Sequence, residues 1–120
     1  MRKLLATVAV LAALVGAASP VYALTAEALA FACMGNVPDL KKDKNTAENV
    51  KLCHGYITGW DDARFAFLQG TTTYCPPPTF TTKEASVVFF DYVATHRETK
   101  DLPAAETLML AFKAKWPCKP

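Results

Sequence analysis

All four cysteines of this chain, Cys33, Cys53, Cys75 and Cys118, lie beyond residue 32. An even set of cysteines in 120 residues constrains the fold more than any other feature, because two crosslinks would decide which distant segments sit together. A domain this small buries a limited core, and in an oxidising compartment such bridges add the stability that burial leaves short. The first residues speak to the compartment. Arg2 and Lys3 precede an apolar stretch from residue 4 to 18, Pro20 breaks it, and Val21-Tyr22-Ala23 offers residues a signal peptidase accepts. This pattern predicts a secretory signal peptide over residues 1–23 and a single domain over 24–120. The apolar run falls short of the ~20 residues that span a bilayer, and no second run follows, so no membrane segment is expected after cleavage. Ala30-Phe31-Ala32 ahead of Cys33 makes a poor lipobox, which argues against a lipid anchor.

Beyond residue 23 the chain carries 11 basic and 11 acidic side chains. A neutral domain has no electrostatic basis for gripping a polyanion, so no nucleic-acid partner is expected. The spacings CxxC and HxxxH are both lacking, and His54 beside Cys53 points about 100° away on a helix, so no metal or other cofactor is expected.

The periodicity predicts four helices and no strands, a small all-α bundle stapled by disulfides. Residues 25–34 read as a first helix, with Thr25 as N-cap, Glu27 in the first turn and Gly35 as a stop. A long helix runs from about Thr46 to Gln69, ended by Gly70, with Val50, Cys53, Ile57, Trp60 and Phe67 as its apolar seam and Arg64 as the one break. Gly55 and Gly59, four apart, suggest that another backbone passes close by, since each costs ~1 kcal/mol in a helix interior. Cys75-Pro76-Pro77-Pro78 forms an extended link. Thr81 and Glu84 make a capping box for a third helix reaching about Thr95, with Ala85, Val88, Phe89 and Tyr92 on one stripe. The fourth begins after Asp101 with Pro103 in its first turn, and Ala105, Leu108, Met109, Phe112 and Trp116 line its apolar face. Four cysteines allow three pairings. An antiparallel hairpin of the last two helices would favour Cys75 with Cys118, leaving Cys33 and Cys53 to tie the first helix to the second.

Catalytic groups are scarce. Beyond the leader the one serine, Ser86, sits mid-helix with no GxSxG around it. His54 and His96 read as partly exposed polar residues, and paired cysteines are lost as nucleophiles. Asp61 and Asp62 diverge on a helix, and Asp61 is placed to pair with Arg64 one turn on. Tyr56, Trp60, Phe65 and Phe67 read as core before ligand cage. Lys41, Lys42 and Lys44 alternate with Asp39 and Asp43, as in a solvated loop. A non-enzyme is expected.

The string Cys53-His54-Gly55-Tyr56-Ile57-Thr58-Gly59, followed by Asp61 and Asp62, resembles the motif C-x-G-Y-I-x-G-x-x-D. With Cys75-Pro76-Pro77-Pro78, Val87-Val88, Tyr92-Val93, Ala105 and Trp116-Pro117-Cys118, the order and spacing are similar to the Rap/Tai family of periplasmic immunity proteins of bacterial type VI secretion. The resemblance covers residues 33–118. Trp116 stands where the family commonly has Phe, and His96-Arg97-Glu98 where a His-Pro pair is frequent. The resemblance implies a helical, disulfide-bonded, often homodimeric periplasmic protein that binds a cell-wall amidase effector and occludes its active site. The turn at residues 96–101, exposing His96, Arg97, Glu98 and Lys100, is the expected partner contact. A small acid-stress chaperone of the periplasm shares the export, helices and disulfides, and would act by protonation of its 11 carboxylates at low pH. Nothing clusters those carboxylates at an apparent dimer seam, which disfavours it.

Overall fold

The computed structural model describes residues 22–67 and 73–120. The expected signal peptide and the expected helix stop at residues 69 and 70 therefore lie outside the described residues, apart from Tyr22 and Ala23. Among the described residues there are four α-helices: α1 (Ala26–Cys33), α2 (Thr46–Phe67), α3 (Thr82–Thr95) and α4 (Ala104–Lys115). Single 3₁₀ turns follow α1 at Met34–Asn36 and α3 at Arg97–Thr99. The all-α bundle read from periodicity is the fold observed.

Helix α1 has eight residues, too few to persist alone in water. It holds because it is the inner helix, packed against α2, α3 and α4, with Ala26, Leu29, Ala30, Ala32 and Cys33 buried. Its first turn is closed from outside. Thr25 Oγ1 accepts from the Ala28 amide at 3.3 Å, as the N-cap reading requires. The amides of Ala26 and Glu27 donate to the carbonyls of Leu102 (2.9 Å) and Lys100 (3.0 Å). The Ala104 amide, at the start of α4, donates back to the Leu24 carbonyl at 2.7 Å. Two helix starts thus satisfy each other's orphan donors through one antiparallel bridge, Thr25 with Pro103.

Around α1 the core is built from Ile57 of α2, Phe89 and Val93 of α3, and Leu108, Ala111 and Phe112 of α4. The capping box of α3 is complete: Glu84 N–H donates to Thr81 Oγ1 (3.2 Å) and Thr81 N–H to Glu84 Oε2 (2.7 Å). Pro103 is the residue before α4, extended at ψ 135°, and not part of its first turn. On α4 the buried stripe includes Ala104 and Ala111, with Ala105 only half-buried. The disulfides join Cys33 to Cys53 (Cα–Cα 5.1 Å) and Cys75 to Cys118 (4.9 Å), the pairing favoured by the hairpin layout.

Two expectations for α2 fail. Its seam stops at Trp60, and Phe67 is 86% exposed. Past Trp60 the position facing the bundle belongs to Arg64, and the cover there comes from the connecting segment. Phe65 is 73% exposed, so of the four aromatics only Tyr56 and Trp60 pack on the core. Nor does any backbone approach Gly55 or Gly59, whose missing Cβ atoms would meet nothing within 4 Å. Both lie on the exposed side of α2, turned away from Cys53 and Ile57. The close approach is at Gly35, where a Cβ would sit 2.5 Å from Val50 Cγ2 and 2.6 Å from Thr46 Cγ2. Gly55→Ala and Gly59→Ala should each stabilise by about 0.5–1 kcal/mol. Gly35→Ala should cost about 1–3 kcal/mol by overpacking. Urea midpoints of the three variants check the opposite signs.

Candidate functional site

The connecting segment that sequence reading treated as a plain link carries a buried residue, Tyr74, 2% exposed. Its ring stacks on Trp60 (6.1 Å between centroids) and meets Phe112 edge-on (5.4 Å). Its hydroxyl donates to Asp61 Oδ1 at 2.8 Å. Arg64 lies over the same ring at 4.5 Å and donates to the same oxygen through Nη2 at 3.0 Å. The Asp61–Arg64 pair was legible from its spacing. Tyr74 was not, because one aromatic in an extended segment has no periodicity. Burial, and then the Asp61 carboxylate beside it, push the Tyr74 phenol well above its ordinary value. Its contribution to stability is therefore whole below about pH 10, where an unfolded tyrosine begins to ionise, and is lost as pH climbs through the raised folded value. Tyr74→Phe should cost about 1.5 kcal/mol at pH 7. The gap to the native chain should shrink above pH 10, as read by denaturant titration along a pH series.

The turn expected to contact a partner is held against the start of α1. The carbonyls of Lys100 and Leu102 are taken up by α1, Thr99 is buried, and Arg97 Nη2 sits 2.7 Å from Glu27 Oε1. That ion pair is exposed on both sides and adds only ~0.2–1 kcal/mol. His96 stacks on Tyr92 at 4.0 Å and is half-buried. Arg97 and Glu98 are exposed, and Lys100 lies 3.5 Å from Asp101. The four residues are thus brought together on one rigid turn, with His96 turned back onto α3 rather than outward.

Two cavities open on the α3–α4 face. One, about 370 Å³, lies between Phe80, Val87, Val88 and Trp116, with Lys83 and Lys115 at its rim. The second, about 300 Å³, shares Val88 and Lys115 and continues past Asp91 and Tyr92 to Thr95, the residue before the turn. Together they form one trough. Sequence reading missed it, since a groove depends on how two helices are spaced.

Ser86 and His54 are engaged locally, whereas the buried hydroxyls of Thr73 and Thr107 have no hydrogen-bond partner among the described residues. Ser86, fully buried, donates to the Thr82 carbonyl at 2.7 Å and lies 3.3 Å from Cys53 Sγ. His54 pairs with Asn36 Nδ2 at 2.8 Å. Among the described residues no cluster of three or more His, Cys, Asp or Glu side chains is arranged to hold a metal ion, and no helix is long and apolar enough to cross a membrane.

Residues 25–118 match the model of a family described as Rap1a immunity proteins, nearly the span of the motif resemblance. No curated protein and no solved structure matches the chain.

Proposed function

The chain belongs to the Rap1a immunity protein family, and from that premise we propose that it is a periplasmic immunity protein that neutralises a peptidoglycan amidase toxin of type VI secretion by occluding its active site. Immunity proteins of this kind bind a secreted toxin and are in general not enzymes. The observation that carries the reading is the family match over the whole domain, and a doubly stapled scaffold agrees with it. A plug must keep its shape against its target, because every side chain it orders on binding subtracts from affinity. The turn with Arg97, Glu98 and Lys100 is rigid for a physical reason, its docking on α1, and is the first contact we assign to the toxin.

Inhibition is tested by titrating the oxidised, leader-free protein into purified peptidoglycan amidases of type VI secretion, with release of peptidoglycan stem-peptide fragments as the readout. Activity should fall linearly and vanish at a fixed stoichiometry. Amidases that all stay fully active in excess protein, with no complex on gel filtration, reject the reading.

A further inference from the structure

The two disulfides stand in opposite surroundings, and we propose that Cys75–Cys118 is a redox latch. A dithiol reductant opens it in the folded protein and frees the segment from Trp116 onward, while Cys33–Cys53 stays closed. No toxin enters this proposal, so its test is independent of the immunity reading.

Thiol–disulfide exchange begins when a thiolate reaches one sulfur of the bridge, so access decides which bridge reacts. Cys33 and Cys53 are 0% exposed where α1 meets α2, and Ser86 of α3, itself fully buried, lies 3.3 Å from Cys53 Sγ. A reductant reaches that bridge only after the helices part. Cys75 is exposed and Cys118 half-buried, and both lie outside the helices. The outer bridge is open to attack in the native fold.

The surroundings also decide what opening does. Pro76, Pro77 and Pro78 follow Cys75, and Pro117 precedes Cys118; none has an amide to donate, so both segments are poor in main-chain ties. The Cys75 amide donates to the Trp116 carbonyl at 2.8 Å. On the Cys75 side Tyr74 is an anchor, buried and bonded through its hydroxyl to Asp61. On the Cys118 side α4 stops at Lys115, and the half-buried Trp116 leans on Phe80 and Phe112, each at 5.3 Å. The part that moves on opening is therefore the segment of Trp116, Pro117 and Cys118. The core around Leu29, Phe89 and Leu108 keeps its inner staple and stays closed.

The exchange runs in two displacements. One thiolate of the dithiol attacks Cys75 Sγ, a mixed disulfide forms, and Cys118 leaves as a thiolate that takes a proton from water. The second thiolate of the reductant attacks its own sulfur in the mixed disulfide and expels the Cys75 thiolate, protonated in turn. The protein gains two electrons and two protons, and the dithiol departs as a disulfide.

The test treats the oxidised full domain with dithiothreitol in the absence of denaturant, traps thiols with iodoacetamide at intervals and maps them by mass spectrometry. Cys75 and Cys118 should be alkylated together, at least about tenfold faster than Cys33 and Cys53. Equal rates for the two bridges, or no reduction without denaturant, overturn the proposal. The protein alkylated at Cys75 and Cys118 should keep its far-ultraviolet dichroism and show red-shifted tryptophan emission, and Trp116→Phe should remove that shift. Unchanged emission, a shift that survives Trp116→Phe, or loss of the helical signal overturns the latch. Cys75→Ser with Cys118→Ser should show the shifted emission with no reductant present, and native emission from that variant overturns the latch as well.

Discussion

Phe112→Ala should bring the domain close to unfolding at room temperature. Phe112 is 1% exposed and meets Trp60 (5.6 Å), Tyr74 (5.4 Å) and Trp116 (5.3 Å), so three separate segments lean on one ring. Truncating a buried phenylalanine costs about 3–5 kcal/mol, and aromatic pairs add to their area term. A small domain has only about 5–15 kcal/mol in all. The expected result is a urea midpoint lowered by half or more with an unchanged slope. Phe67→Ala, removing a ring of the same size that touches no core, should move the midpoint by less than about 0.5 kcal/mol equivalent. Equal effects of the two would show that the aromatic column is not where the stability resides.

The second large effect concerns the bridges, and here two physical terms disagree on the ranking. Loop closure favours Cys75–Cys118: its separation of 43 residues gives about 4 kcal/mol in the chain-entropy model, against about 3 kcal/mol for the 20 of Cys33–Cys53. Burial reverses the order. Cys33 and Cys53 are both fully buried between α1 and α2, so their replacement by alanine also leaves cavities, each worth about 1–2 kcal/mol. Cys75 is exposed and Cys118 half-buried, so that pair loses little beyond the loop term. Cys33→Ala with Cys53→Ala should therefore be the more damaging double substitution, although its loop is shorter. Denaturant curves of the two double variants decide this. A larger loss on removing Cys75 and Cys118 would mean that chain entropy governs and packing around the sulfurs is slack.

What could be read before the structure was what depends on local spacing. Caps at Thr25 and Thr81 and the Asp61–Arg64 pair follow from neighbours within one helical turn, and so do Ala85 and Phe89 of α3 and Leu108 and Phe112 of α4. Ser86 and Val93 of α3 and Ala104, Thr107 and Ala111 of α4, by contrast, are buried where the expected stripes had Val88, Tyr92, Ala105 and Met109. The disulfide pairing could be favoured because an antiparallel hairpin places Cys75 and Cys118 at the same end. Features that need the relative position of distant segments were missed. Tyr74 fills the place that Phe67 was expected to take, and the close backbone approach is at Gly35, against α2, instead of at the paired glycines. The trough belongs to the same class, since Phe80, Val88 and Trp116 share no periodic relation. The assigned contact turn was seen as exposed polar sequence, which it is in Arg97 and Glu98. Its anchoring could not be seen, because the groups that anchor it are main-chain carbonyls, common to every sequence.

The bridge between Thr25 and Pro103 has a kinetic consequence. It joins the start of α1 to the start of α4, segments that α2 and α3 separate in sequence, and the Ala26 and Glu27 amides of the innermost helix have no acceptor until that junction forms. Bundles whose contacts are mainly between sequence neighbours fold in microseconds to milliseconds, and long-range closure slows the search. This bundle should refold at the slow end of its class, at a rate set by the meeting of these two distant segments and not by helix growth.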